Sequence, residues 1–136
     1  MRYYCPRCWR DFSEDVTRCP QCSIDIAEFL KGKDYVEKLI IALGHPEPKT
    51  PIRAAWTLGK LGDERAVEPL IGLIEKTEDV YTACAAVTAL ARLGTARARR
   101  FLRGIAFSHP AAMVRDTATQ GLVNLAGRGK TRSNPT

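Results

Sequence analysis

The chain has 136 residues, 45% of them hydrophobic and 26% charged, which is enough apolar material for one domain of ordinary size and a small appendage. No uninterrupted apolar run is longer than that from Leu39 to Leu43, far short of the roughly 20 residues a membrane span needs, and Met1-Arg2-Tyr3-Tyr4-Cys5 lacks the apolar segment of a secretory signal, so a cytoplasmic location is expected and no membrane partner. The net charge of +6 is unevenly spread, because residues 84–136 hold nine Lys or Arg against one acid, Asp116.

Residues 1–26 carry a spacing with chemistry in it: Cys5-Pro6-Arg7-Cys8, ten intervening residues, then Cys19-Pro20-Gln21-Cys22. A Cys-x-x-Cys pair lets two thiolates reach one metal ion from a tight turn. Two such turns complete a tetrahedral sulfur site, the closed geometry of structural zinc. Proline at the second position stiffens each turn. Tyr3, Tyr4, Trp9, Phe12, Val16 and Ile24 supply a small apolar platform, yet so short a segment cannot bury enough surface to fold alone, and the metal would supply the folding free energy. Two alternatives compete with zinc: a pair of disulfides, which needs an oxidising compartment of which the sequence carries no sign, and an iron centre. With Cys5, Cys8, Cys19 and Cys22 all coordinated, no position stays open for a catalytic water.

The two Cys-Pro-x-Cys knuckles, with Phe12 a few residues after the first, resemble the zinc ribbons. The resemblance covers residues 3–26 and implies a short β-hairpin with one structural Zn2+ on the four cysteines. Ribbons commonly place a glycine after each knuckle, where this chain has Trp9 and Ser23, and the turn geometry at those two positions stays open. Rubredoxin-like iron centres separate their knuckles more widely.

A polar stretch over 25–34, whose connector proper is 27–34, carries an apolar patch of Ile26, Phe29 and Leu30 and fits a short helix, and Gly32 separates it from the next one. Asp34 is a suitable N-cap for a helix with Val36, Leu39, Ile40 and Leu43 on one face, stopped by Gly44-His45-Pro46. Thr50 followed by Pro51 reads as the N-cap and first-turn proline of the next helix, 51–61. Asp63 then caps a helix to about Lys76, Asp79 caps one ending at Gly94, and Thr95 caps one to about Phe107. Ser108-His109-Pro110 opens a last helix ending near Ala126. A basic flexible tail over 128–136, with Arg128, Lys130 and Arg132, completes the chain.

This alternation is periodic. Ala54, Leu58, Leu61 and Gly62 recur 32 residues later as Ala86, Leu90, Leu93 and Gly94, and again as Ala118, Leu122, Leu125 and Ala126. Val36, Leu39 and Leu43 precede Val67, Leu70 and Ile74 by 31 residues. A fixed period means that each unit cannot bury its own apolar face, so the units stack into a continuous core. Small residues such as Ala54, Ala83, Ala86 and Ala89 let neighbouring helices approach closely. Cys84, set among alanines, is expected to be a small core filler.

Val114-Arg115 with Ala118, Leu122 and Leu125, and Ala54-Ala55, Leu58-Gly59, Leu61-Gly62-Asp63 and Ala66-Val67 to Leu70, resemble HEAT-like repeats of the phycobilisome lyase type. The resemblance covers about residues 34–127 and implies an all-α, right-handed α-solenoid of about two and a half repeats, a domain over 35–127. It is specific for fold rather than for function, since the family includes bilin lyase subunits, adaptors, nucleic-acid binders and relatives with iron-dependent hydroxylation. The last need several His-Glu pairs, which His45 and His109, both before proline in interhelical turns, do not supply. No enzymatic activity is expected. Three functions stay open: a non-enzymatic protein-binding adaptor or scaffold, a nucleic-acid binder, and an accessory subunit like those of bilin lyases. For an adaptor, Trp56 is either an exposed anchor for a partner or a cover for the seam with the ribbon. For a nucleic-acid binder, Arg97, Arg99, Arg100, Arg103 and the tail would meet phosphate. Glu68, one repeat before Arg100, is expected opposite it in a salt-bridge ladder.

Overall fold

The structure is a computed structural model that describes residues 2–133 and, at the C-terminal end, side chains as far as Gly127. Among the described residues a two-stranded antiparallel hairpin, β1 (Tyr3–Tyr4) and β2 (Asp11–Phe12), pairs Tyr3 with Phe12 and Tyr4 with Asp11. Seven helices come after it: α1 (Ile26–Leu30), α2 (Tyr35–Ala42), α3 (Lys49–Leu61), α4 (Val67–Lys76), α5 (Val80–Leu93), α6 (Ala96–Ser108) and α7 (Ala112–Ser133). A 3₁₀ turn, Glu64–Ala66, leads into α4. The architecture is thus a helical solenoid preceded by a small hairpin that carries the cysteines.

Local chemistry sets most helix ends. The side chains of Asp34, Asp63, Asp79 and Thr95 each accept a backbone N–H from the first turn of the helix they precede, satisfying donors that the turn leaves without an internal partner. Asp34 and Glu37 form a full capping box. Gly62 (φ 72°) and Gly94 (φ 64°) close α3 and α5 in the left-handed conformation that glycine adopts without steric penalty. The period puts Ala126 where a third such glycine would stand, and α7 continues past the expected end near Ala126 to Ser133. The side chains of the tail expected over 128–136 lie outside the described residues. Helix α3 begins earlier than expected, at Lys49 after Pro48 and with no side-chain cap, so Thr50 lies inside the first turn. Pro51 is tolerated there because the N–H it lacks would have had no helical partner.

The helices form two rows. The first helices of successive repeats, α3, α5 and α7, pack side by side, and the second helices, α2, α4 and α6, lie against them. Leu58, Leu70, Leu90 and Leu102 are fully buried between the rows, with Val87 and Val114. The first row is drawn together by missing side chains. A Cβ built on Gly59 would lie 2.9 Å from the Cα of Ala89, and one on Gly121 would lie 2.8 Å from the Cβ of Ala91.

Charged rungs tie the second row. Arg65 bonds Asp63 beside it and reaches back to Asp34 at the start of α2, each at 2.8 Å. Arg97, which stands 32 residues later, reaches back in the same way to Glu68 on α4, at 2.8 Å. The rung expected between Glu68 and Arg100 is therefore formed by Arg97 instead. Arg65 likewise lies 3.9 Å from Glu37, so the pairing residues are offset from the equivalent positions in both repeats. These pairs hold the Asp34, Asp63 and Glu68 carboxyls below their usual range: the Glu37 backbone N–H and then Arg65 act on Asp34, Arg65 on Asp63, and Arg97 on Glu68.

Gly59→Ala is expected to destabilise the fold by about 1–3 kcal/mol despite alanine's better helix propensity, because the clash is with backbone and no rotamer change relieves it. In α4, by contrast, nothing lies within 4 Å of a Cβ built on Gly72, and Gly72→Ala is expected to stabilise by up to about 1 kcal/mol. Denaturant unfolding of both variants beside the parent checks the two signs. A stabilised Gly59→Ala protein would show that α3 and α5 do not pack this closely.

Candidate metal centre and binding surfaces

Both Cys-Pro-x-Cys segments fold into the same turn. The Trp9 N–H bonds the Cys5 carbonyl and the Cys5 N–H bonds the Arg10 carbonyl; Ser23 with Cys19, and Cys19 with Ile24, repeat the pattern. The residue after each second cysteine turns left-handed, Trp9 at φ 62° and Ser23 at φ 67°. The turn left open by the absent glycines is thus retained, at a backbone cost of about 1–2 kcal/mol for each residue.

The two turns bring the Sγ atoms of Cys5, Cys8, Cys19 and Cys22 within 4.8 Å of one another, with Cys5–Cys22 and Cys8–Cys19 at 3.6 Å. A tetrahedron with metal–sulfur bonds of about 2.3 Å has edges of about 3.8 Å, so the four sulfurs lie close enough together to hold one metal ion. Backbone N–H groups aim at them, Arg7 at Cys5 Sγ and both Gln21 and Cys22 at Cys19 Sγ, each at 3.4 Å. Such donors stabilise negative charge on sulfur. The Cys22 amide, followed by that of Gln21, lowers the Cys19 thiol to about 6. The Arg10 backbone N–H favours the Cys8 thiolate, but burial and the crowding of the other three sulfurs push that thiol up to about 11. Thiolates this close repel one another unless they share a cation, and protons compete for the same sulfurs, so a metal bound there would be lost as the pH falls.

Trp9 does more than close a turn. A Cβ built on Gly44 would lie 2.5 Å from its Nε1, and the rings of Trp9 and Tyr4 meet His45 edge-on with centroids 5.1 and 4.6 Å away. His45 Nδ1 accepts the Glu47 N–H at 3.0 Å, which fixes the ring in the turn between α2 and α3. His109 Nδ1 accepts the Ala111 N–H in the same manner in the turn between α6 and α7. The seam between hairpin and solenoid therefore rests on Tyr4, Trp9, Gly44 and His45. Trp56, for which a cover over this seam is one of the two expectations, instead lies on α3 beside α5. The overlooked signal was a tryptophan at a position that favours glycine.

The α6 arginines do not act as one strip. Arg97 is held by Glu68, and Arg99 Nε donates to the Gly94 carbonyl at 3.1 Å. Among the described residues neither Arg100 nor Arg103 forms an ion pair. Arg100 lines a groove of about 920 Å³ between α4, α6 and the turns that succeed them. Its apolar lining includes Ile74, Ala83, Phe101 and Ile105, and Glu75, Glu78 and Asp79 join Arg100 as its charged residues. Gly104 opens one wall, with nothing within 4 Å of a Cβ built there. Segments 74–83 and 100–111 meet only in the fold, so no sequence motif marks the groove. Cys84 is half-buried against the core, in keeping with a small filler, and its Sγ receives the Thr117 hydroxyl at 3.4 Å.

Residues 36–123 match the family described as HEAT repeats, and the chain belongs to that family. HEAT repeats generally mediate protein–protein interaction. A comparison with curated proteins finds no match. Among the described residues no helix is long and apolar enough to cross a membrane.

Ser23→Gly is expected to stabilise the four-cysteine module by about 1 kcal/mol by relieving its left-handed residue. Trp9→Gly relieves the same strain but removes the indole from Gly44 and His45, and is expected to loosen the module. Thermal melting of the metal-loaded variants, with hydrogen exchange at the hairpin amides, separates the two effects. An equal gain from both would show that the seam contributes nothing.

Proposed function

We propose that this chain is a non-enzymatic cytoplasmic adaptor. In this reading one zinc ion on Cys5, Cys8, Cys19 and Cys22 folds the N-terminal hairpin as a zinc ribbon against the end of the HEAT repeats, and the groove between α4 and α6 receives a protein partner. The observation that carries the reading is the groove: an apolar floor with charges of both signs at its edge suits a partner's apolar side chain flanked by polar ones. Four thiolates filling a tetrahedron leave the metal no open position for substrate, which favours a structural ion. Iron accepts the same donors, so metal content decides between the two.

Nucleic-acid binding through α6 is the second reading, favoured by Arg100 and Arg103 and weakened by the engagement of Arg97 and Arg99. An accessory role like that of the bilin lyase subunits rests on the sequence resemblance alone.

Elemental analysis of the purified protein is expected to return one zinc per chain, and iron in its place in protein from the native host would overturn the metal assignment. Capture from that host, followed by reconstitution with the purified partner, is expected to give a saturable complex that Gly104→Gln disrupts. That substitution places a side chain in the groove at a position with room for it, so the fold is retained. Anisotropy with single-stranded and duplex DNA and RNA is expected to show no binding near physiological salt. Salt-steep binding that Arg100→Ala and Arg103→Ala abolish would establish the second reading instead.

A further inference from the structure

The outer face of the first-helix row differs chemically from the groove. Trp56, in the middle of α3, is 53% exposed, and the Lys60 ammonium one turn on lies 4.3 Å from its ring centroid. Across on α5, Arg92 is exposed while its aliphatic stem crosses Gly59, its Cδ 3.4 Å from a Cβ built there. Between them lies a pocket of about 270 Å³ lined by Trp56, Cys84, Ala85, Thr88, Arg92 and Thr117. It opens beside a polar groove of about 500 Å³ that includes Gln120, Asn124 and Asp116, the one acid lining either. Arg53, three residues before Trp56 on α3, is exposed as well.

In the second row, Arg65 and Arg97 have carboxylate partners. On the outer face, among the described residues, Arg53, Lys60 and Arg92 form no ion pair. An exposed tryptophan beside an unpaired arginine over a small apolar pocket has the composition that dominates binding energy in protein interfaces. The pocket has room for one apolar side chain, and the cations beside it favour anionic neighbours of that side chain. Base stacking fits less well, because Lys60 already covers one face of the ring and the ring itself walls the pocket.

We propose that this outer face binds an acidic segment of a protein partner, which seats one apolar side chain between Trp56 and Ala85 and sets carboxylates on Lys60 and Arg92. The site is separate from the groove between α4 and α6, and it rests on the adaptor reading only for the class of partner.

The test uses the full-length protein and three labelled probes: a peptide of Glu and Leu at helical spacing, its Lys and Leu counterpart, and oligothymidylate. Anisotropy is expected to show saturable binding of the acidic peptide alone. Trp56→Ala, Arg92→Glu and Lys60→Glu are each expected to weaken it about tenfold or more, with thermal melting unchanged. Lys60→Glu keeps the test sound where a packing residue would not, since Lys60 is exposed. Gly104→Gln is expected to leave this binding intact. No binding of the acidic peptide at low salt, equal binding by the three variants, or oligothymidylate binding that depends on the same residues would each overturn the site. Sensitivity to Gly104→Gln alone would move the peptide to the groove, overturning this proposal while the groove reading stands.

Discussion

Three helices lie so close together that two contact positions carry no side chain. Gly59 faces the backbone of Ala89, and Gly121 faces Ala91. That approach sets the spacing of the first row, and the leucines on the same period, Leu58 and Leu90, fill the layer behind it. The spacing then decides what the second row can do, because α4 and α6 are positioned by the first helices they pack on. The rungs from Arg65 and Arg97 are exposed ion pairs, weak as a class. They select a register that burial and close packing have already stabilised.

A solenoid's terminal helix has a neighbour on one side only. At the N-terminal end the uncovered turn after α2 meets the hairpin through Gly44 and His45. Each part compensates for the other: the hairpin is too small to fold on its own apolar residues, and the turn is left open without it. Trp9 stands at the junction of both requirements. Its left-handed backbone closes the turn that aims Cys5 and Cys8 inward, and its ring lies against Gly44. The cysteine cluster and the packing at the seam therefore draw on one residue, so a metal ion, if held by the cysteines, would stabilise the contact with the solenoid by linkage.

What could be read from sequence was what depends on neighbours along the chain. Asp34, Asp63, Asp79 and Thr95 cap the helices they precede, Gly62 and Gly94 end theirs, and the cysteine spacing brings four sulfurs together. Where the reading failed, a distant contact or a competing local rule won. Thr50 is a good cap by type, but the prolines at 46 and 48 start the turn earlier and Pro51 fits inside it. The continuation of α7 was legible in retrospect, since alanine at 126 cannot close a helix as glycine does at 62 and 94. Glu68 meets Arg97, as Glu37 meets Arg65 one repeat earlier, so the rung follows the repeat but with an offset that the alignment of equivalent positions does not show, and the groove joins segments more than one helix apart.

A stack this short cannot wrap a partner as long arrays do, and stable protein interfaces bury about 800 Å² on each side. Affinity must then concentrate in a few local features rather than spread along a concave surface. The groove between α4 and α6 sets three acids against Arg100, whereas the pocket beside Trp56 has Arg92 on its lining and Lys60 beside it, and α5 separates the two. A strongly acidic segment is favoured by the pocket and disfavoured by the groove's excess of acids. Opposite charge preference is how a small surface discriminates between two ligands without more area, because the wrong placement leaves like charges opposed. If both proposed sites are used, the arrangement would give the chain a physical means of holding two chemically different segments at once.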